Sequence, residues 1–332
     1  MDMNTPLLSL RRVSKRFERR LDLAERLARS LGAPVRDGTV HAVDSVDLEI
    51  QDGEVVGLVG ESGCGKSTLA RLIVGLYSPT QGDIQWLGES ISALPTARRR
   101  DVRLQMQMIF QDPHACLNPR LRVLDLVGEA PCVHGLTRRN EQSDWVASQL
   151  LRVGLDPDVA TRYPHQLSGG QRARVGIARA LAVNPRLLVC DEAVAALDVS
   201  IQAQVLNLFA DLRESLGLTY LFISHDLGVV RHISDRVVIM YLGRVVESAT
   251  CEEFFARPFH PYSSALLAEV PHLVAKKKEF VAIKGEIPSP MNPPTGCHFH
   301  PRCPHATSRC RDEAPALREI APSHFAACHL QG

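Results

Sequence analysis

The order of apolar and polar positions divides the chain into blocks. In residues 7–13 and again in 41–50 ("HAVDSVDLEI") the two kinds alternate, the period of a strand with one face in a core. Between them, Glu18 to Asp37 is charged and Arg-rich with a helix-like patch "LAERLARSLG", and reads as a long hairpin connection. "EVVGLVG" (54–60), "RLLVCDE" (186–192) and "TYLFISH" (219–225) are short continuous apolar runs, the pattern of core strands. "KSTLARLIVGL" (66–76) has helical spacing, and "IQAQVLNLFADLRESLG" (201–217) predicts an amphipathic helix that stops at Gly217. Strand, helix, strand in this order implies parallel pairing through a right-handed crossover. Residues 112–180 carry mostly helical patterns punctuated by Pro113, Pro119 and Pro164, and read as a helical insert. Beyond Tyr241, "ARPFHPY" and "EIPSPMNPPTGC" are proline-rich and periodicity fades. Such a tail is too irregular to build a large core unaided.

Composition narrows the class. The 332 residues leave room for a sizeable core and a second, smaller module. Hydrophobic residues at 45% and charged residues at 23% are an ordinary soluble balance. A net charge of +1 gives no global reason to expect nucleic acid or an acidic membrane surface. No run approaches the roughly 18 apolar residues of a spanning helix. "MDMNTPLLSLRRVSKRF" has no long apolar stretch after its charges, so it does not read as a signal peptide. The expected setting is the cytosol, where thiols stay reduced. Nine cysteines is a high count there. Cys64, Cys116, Cys132, Cys190 and Cys251 are scattered and read as packing residues. The other four crowd the C-terminal end.

Candidate chemistry begins with "GESGCGKST" (60–68), which fits G-x-x-x-x-G-K-[ST], follows a strand and opens a helix. Gly60, Gly63 and Gly65 let backbone N–H groups turn inward around phosphate oxygens, with Ser62 and Cys64 in the same loop. Lys66 reaches the β- and γ-phosphates of ATP, the Ser67 hydroxyl ligates Mg²⁺, and Thr68 adds a hydroxyl on the α-phosphate side. A glycine-rich turn that happens to precede Lys-Ser is the bland alternative, and the strand and helix on either side count against it. In "LLVCDE", Asp191 ends a buried strand and can hold Mg²⁺ through water. Glu192 follows, placed to orient or deprotonate the attacking water. A structural role, an Asp-Glu pair capping the strand end, is the weaker reading. In "LSGGQRARVGIARAL" (167–181), Ser168, Gly169 and Gly170 precede a helical pattern and offer free N–H groups at the positive end of a dipole. Alone this would be a plain Ser N-cap. One nucleotide needs one cradle, however, and this would be a second phosphate binder. Two chains meeting head to tail, each serving the other's ATP, resolve the excess.

"LSGGQ", the cradle, "DEAVAALD" and "ISHD", in that order and spacing, resemble an ABC-type ATPase cassette over roughly residues 7–250. The resemblance implies an α/β, RecA-like P-loop core with a helical subdomain at about 112–180. It implies further roles. Gln111 in "MIFQDP" senses Mg²⁺ and the attacking water and joins core to insert. His225 contacts the γ-phosphate, Asp198 crosses the dimer interface, and Gln171 completes the signature. Phe17 in "SKRF" is the candidate aromatic for stacking on adenine, with a place in the core as the other reading. There are departures: Ala193 and Ala195 stand where near relatives usually show Pro and Ser, and Ala173 where they usually show Gln. Asp191, Glu192 and His225 are retained, so the sites should be competent for hydrolysis.

Two classes then compete, a transporter motor and a soluble ABC ATPase of translation or DNA repair. The chain has one cassette, no heptad run and no basic stripe, and "ARRR" (97–100) and "KKK" (276–278) read as solvated faces. The motor reading is favoured, with its membrane partners on separate polypeptides. Residues 251–332 sharpen it: "FFARPFHPYSSALLAEVP" (254–271) and "FVAIKGEIPSPMNPPTGCHFHPRCPHA" resemble the extension of ATP-binding subunits of dipeptide and oligopeptide importers, the F-type subunit in particular. That resemblance implies a peripheral motor on the cytoplasmic face of the membrane. It would work with a paralogous ATPase, two permeases and an extracytoplasmic solute-binding protein, and without nucleic acid. Relatives with such a tail also import nickel chelates, opines and glycosides.

Cys297, Cys303, Cys310 and Cys328 are spaced C-x5-C-x6-C-x17-C, neither a zinc ribbon nor a bacterial ferredoxin run. Disulfides are disfavoured in the cytosol. Zn²⁺ suits four thiolates, with His298, His300, His305 and His329 as alternative ligands. A [4Fe–4S] cluster also takes four thiolates and tolerates irregular spacing. Four unligated thiols are the remaining reading. The resemblance to dipeptide-importer ATPases points to the cluster, as a staple for a tail with little core. On that view Cys297→Ser should unfold the tail and leave ATP binding intact.

Overall fold

The computed structural model describes residues 5–18, 38–111, 116–269 and 285–331. The expected connection Glu18 to Asp37, Pro113 and the "KKK" run lie outside them, Glu18 itself excepted. The two alternating segments form β1 (Leu8–Glu18) and β2 (Thr39–Ile50), paired antiparallel as a hairpin requires. The continuous apolar run gives β3 (Val55–Val59), every residue of it buried. β4 (Gln81–Trp86) pairs antiparallel with β1, and β5 (Glu89–Ser90) with β4, closing a small sheet of order β2-β1-β4-β5.

The larger sheet begins with β6 (Met106–Ile109), β7 (Leu187–Asp191) and β8 (Thr219–Ser224). With β3 and β9 (Arg236–Tyr241) these make a parallel block in the order β9-β3-β8-β7-β6. The strand alternation decides the layers. Leu188, Cys190, Tyr220 and Phe222 face one apolar cluster, while Leu187, Val189, Leu221 and Ile223 face another on the opposite side. Helices cover both faces, as a parallel sheet demands. α1 (Lys66–Ile73) contributes Leu69 and Ala70 to the second cluster, and α2 (Thr96–Gln105) contributes Val102.

The helical insert is present as α3 (Val123–Val133), α4 (Gln142–Arg152) and α5 (Gly169–Leu181), all packed into the first cluster. Pro164 opens a short 3₁₀ turn, so it does punctuate the insert. Pro131 lies inside the last turn of α3, where its missing N–H leaves the Val127 carbonyl without its helical donor while the helix runs on to Val133. α6 (Val199–Leu216) stops where Gly217 turns left-handed at φ 64°, a conformation that costs glycine little.

The tail differs from an appendage. β10 (Arg244–Thr250) pairs with β9 antiparallel, then β12 (His324–Ala326) pairs with β10, and β11 (Arg318–Ala321) with β12. The tail thus extends the cassette's own sheet. A third cluster is shared: Val59, Ile239 and Tyr241 from the cassette pack with Phe254, Tyr262 and Phe299. The Phe299 ring lies 5.2 Å from Tyr241 and 5.3 Å from Tyr262. Glu247 of β10, fully buried, accepts from His324 Nε2 at 2.7 Å and from the N–H groups of Phe259 (2.7 Å) and His260 (2.9 Å). A buried carboxylate persists only with such partners, so this cluster of bonds fastens the tail. The little core expected of the tail is supplemented by the cassette's. Among the described residues no helix is long and apolar enough to cross a membrane.

Candidate nucleotide site

The cradle follows β3 and ends at the first turn of α1. Its glycines are required for different reasons. A Cβ on Gly60 would lie 2.1 Å from the Met240 carbonyl oxygen, and one on Gly65 2.1 Å from that of Ala42. Gly63 has open space around it but φ +78°, where side chains are strained. Ser62 and Gly63 form the exposed tip of the loop, and Cys64 is buried beneath it. Lys66 is buried, and its Nζ donates to the carbonyls of Gly60 (2.6 Å) and Glu61 (3.0 Å). Thr68 follows on α1, half-buried.

Parallel register brings the second half of the site alongside. The Ser67 hydroxyl donates to Asp191 Oδ1 at 3.0 Å. Burial raises the Asp191 pKa, and the Glu192 charge adds to it, while the Ser67 bond, Arg71 and Lys66 oppose. Two hard oxygen donors at the mouth of a phosphate loop, one a desolvated carboxylate, suit Mg²⁺. Glu192 has φ 49°, uncommon for a residue with a side chain. Its carboxylate accepts from Gln111 Nε2 at 2.5 Å and contacts His225 Nδ1 at 3.3 Å. Three residues distant in sequence, Gln111, Glu192 and His225, therefore meet at the ends of β6, β7 and β8.

The remaining candidates lie elsewhere. Ser168 caps α5: its hydroxyl accepts from the Gln171 N–H at 3.2 Å, and Gln171 Oε1 accepts from the Ser168 N–H at 3.1 Å. This capping box holds Ser168 and Gly169 at the surface. Gly170 is tight, since a Cβ there would lie 2.8 Å from Ile201 Cγ2. Asp198 precedes α6 and is exposed, with no side-chain cap bond, next to Val199 at 83% exposure. Leu167 and Val175, on either side of the signature, pack in the first cluster, and Cys64 of the cradle packs in the second. Phe17 is half-buried on β1 and meets Tyr77 edge-on at 5.4 Å, with Lys15 Nζ 5.2 Å from its ring.

Periodicity and motif reading missed three residues against the cradle: Tyr241, Tyr262 and Arg302. The Glu61 N–H donates to Tyr262 Oη at 2.8 Å, and Arg302 forks onto the Glu61 carboxylate at 2.6 and 3.0 Å. No local pattern marks them: Tyr262 and Arg302 meet Glu61 across 201 and 241 positions, and Tyr241 meets Arg302 across 61.

The four cysteines are neighbours. The Cys297 N–H donates to the Cys310 carbonyl at 2.9 Å, and Thr307 Oγ1 lies 3.3 Å from Cys310 Sγ. Burial pushes the Cys297 thiol up to about 11, and charge on Cys310, Cys328 or Cys303 adds to the rise. Yet no group of three or more His, Cys, Asp or Glu side chains among the described residues is gathered to hold a metal ion. Of the four nearby histidines three have an engaged ring nitrogen: His298 Nδ1 with the Leu242 carbonyl (3.0 Å), His300 Nδ1 with that of Cys297 (2.9 Å), His329 Nε2 with that of Glu313 (2.9 Å).

A phosphate cradle between a parallel strand and a helix, with a buried Asp and a Glu at the end of a neighbouring strand, defines a P-loop nucleoside triphosphatase. Residues 43–195 match the family model for the ABC transporter, and residues 246–310 match that for the oligopeptide/dipeptide transporter C-terminal region. The oligopeptide transport ATP-binding protein AppF of Bacillus subtilis is 50% identical over 98% of this chain and 97% of its own length. A putative peptide import ATP-binding protein of Brucella ovis is 46% identical over 98% of each. Among solved structures, cbiO1 of Clostridium perfringens, part of an ABC transporter complex, aligns with TM-score 0.62 at 26% identity, over 76% of this chain and 92% of that one. An ATP-binding cassette solved as a dimer with ADP and Pi aligns with TM-score 0.61 at 29% identity, over 74% and 98%. The chain belongs to the ATP-binding subunits of the oligopeptide/dipeptide ABC transporter family, and it is an ATPase of that kind.

Proposed function

We propose that this chain is the ATP-hydrolysing motor of an importer for dipeptides and oligopeptides, driving transport through separate membrane permeases. One observation carries the reading. A site with Asp191, Glu192, Gln111 and His225 converging on the cradle occurs in the same chain as a peptide-transporter C-terminal region. The amides of the glycine loop, that of Glu61 excepted, and Lys66 bind the phosphates. Ser67 and Asp191 would hold Mg²⁺, which would supply charge neutralisation at the phosphates. Glu192 takes the proton of the attacking water, oriented by Gln111, and His225 contacts the γ-phosphate. Ser168, Gly169, Gly170, Gln171 and Asp198 serve the nucleotide of a second cassette. The exposure of Ser168, Gly169 and Asp198, on the side of the sheet that carries the helical insert, supports a head-to-tail dimer. The partner is a paralogous ATPase, this chain being the F-type subunit, seated under two permeases on the cytoplasmic face and fed by a solute-binding protein.

The same reading extends to the tail. Cys297, Cys303, Cys310 and Cys328 are the ligands of a [4Fe–4S] cluster, with Zn²⁺ the alternative. Iron, acid-labile sulfide and zinc measured on chain purified without oxygen separate the two. For the function, the chain is reconstituted in vesicles with its paralogue and permeases, and ATP-driven uptake of a labelled tripeptide is measured with the binding protein present. Uptake should occur, and Lys66→Ala should abolish it. Transport of a nickel chelate or glycoside in place of peptide would overturn the cargo, and hydrolysis with no transport would favour a soluble ATPase.

A further inference from the structure

We infer that Arg302, in the cysteine-bearing tail, is a positioning residue for the ATP cradle and sets its nucleotide affinity through Glu61. The inference rests on the reading of residues 60–68 as the ATP site.

Every polar group of Glu61 is committed. Its carboxylate receives the Arg302 guanidinium in a two-pronged fork, Nη1 to Oε2 at 2.6 Å and Nη2 to Oε1 at 3.0 Å. Its N–H donates to Tyr262 Oη at 2.8 Å, and its carbonyl accepts from Lys66 Nζ at 3.0 Å. Glu61 is thus the link between the phosphate-reaching lysine and two residues of the C-terminal region. The fork is shielded: the Arg302 side chain is 4% exposed and that of Glu61 21%. A charge-assisted bidentate pair so shielded is stronger and more directional than a surface ion pair. Arg302 is itself held in place. Nη1 lies 3.4 Å from Tyr241 Oη, and the guanidinium sits 5.9 Å from the Tyr241 ring. Tyr241 follows Met240, whose carbonyl presses on Gly60 at the start of the cradle. The loop is therefore gripped at Gly60 by β9 and at Glu61 by the tail.

Arg302 stands in the turn between Cys297 and Cys303, where the His300 N–H donates to the Cys297 carbonyl at 3.0 Å and the Cys303 N–H to that of His300 at 3.3 Å. Whatever orders the thiols orders the residue that holds the cradle. The expectation that the tail could unfold and leave ATP binding intact treats the tail as mechanically independent. The fork removes the basis for it.

The test uses the full chain and a four-member cycle: wild type, Arg302→Ala, Glu61→Gln and the double variant. The readouts are Mg-ADP affinity by titration calorimetry and hydrogen exchange of amides 61–66. Arg302→Ala should weaken binding roughly tenfold, the scale of a lost charged hydrogen bond, and speed exchange in the loop. Arg302→Lys, which keeps the charge and loses the fork, should fall between. The double variant should bind no more weakly than either single one, because both remove the same link. Wild-type affinity in Arg302→Ala, or losses that multiply in the double variant, would overturn the proposal. Should Arg302→Ala fail to fold, Glu61→Gln alone, which leaves no cavity, decides. If wild type itself fails to bind Mg-ADP, and Lys66→Ala changes nothing, the reading of the ATP site is what falls.

Discussion

Replacing Glu192 with glutamine separates what that residue does for the fold from what it does for hydrolysis. The carboxylate uses its two oxygens on two partners: Oε2 accepts from Gln111 at 2.5 Å, and Oε1 meets His225 Nδ1 at 3.3 Å. An amide keeps one oxygen for Gln111 and turns an N–H toward His225 Nδ1, which accepts when the ring proton is on Nε2. Both contacts survive in neutral form. The unusual φ of 49° is held by the backbone, since the Glu192 N–H donates to the Ile223 carbonyl at 3.0 Å. Folding should therefore lose about 1 kcal/mol or less. The chemistry loses its proton acceptor. General-base assistance is worth roughly 10²–10⁴ in rate, or about 3 to 5 kcal/mol of barrier. Three measurements on one preparation check this: thermal melting, Mg-ATP affinity and steady-state phosphate release. Melting and affinity should stay near wild type while turnover falls at least a hundredfold. Turnover within about fivefold of wild type would refute the assignment of Glu192 as the base, and a collapse in melting temperature would refute the account of its replaceable contacts.

Two other predictions follow from the packing. Gly60→Ala forces a methyl to within 2.1 Å of the Met240 carbonyl oxygen, a backbone atom that cannot swing aside. The loop must move, so nucleotide affinity should fall at least about tenfold and stability by roughly 1–3 kcal/mol; unchanged calorimetric titration and melting would show the cradle to be softer than its geometry implies. His260 is buried, its Nδ1 accepts from the Tyr262 N–H at 3.1 Å, and burial lowers its pKa to about 4. The Glu247 carboxylate meets its backbone N–H. Below its unfolded value near ~6.5 the unfolded chain takes up the proton first. Its contribution is therefore complete above about pH 6.5 and is lost as pH falls toward 4, by up to about 1.4 kcal/mol per unit. Urea midpoints between pH 7 and 5 should show that slope, and His260→Asn should flatten it; an identical slope in the variant would assign the effect to another group.

The cradle was legible because its chemistry is local. Strand, glycine loop, lysine and helix lie within residues 54–76, and backbone rules tie each to the next. The continuous apolar runs marked β3, β7 and β8 for the same reason: a strand buried on both faces needs no partner to announce it. Asp191 and Glu192 came with β7. The short tail strands were not legible. β11 has four residues and β12 three, too few to show a period, and they are strands because β10 offers an edge to pair with.

By itself, then, the sequence determined the elements whose geometry is set by neighbours along the chain: the phosphate loop, the parallel strands, the caps of α5 and α6. Tertiary structure alone decided which distant groups meet. Nothing in "GESGCGKST" says that Gly60 must be glycine because of Met240, or that Glu61 has its partner 241 positions away in Arg302. Such contacts depend on how β9 and the tail fold back over the loop. A side-chain fork carries no periodicity of its own, so it exists only once the sheet has brought its two ends together.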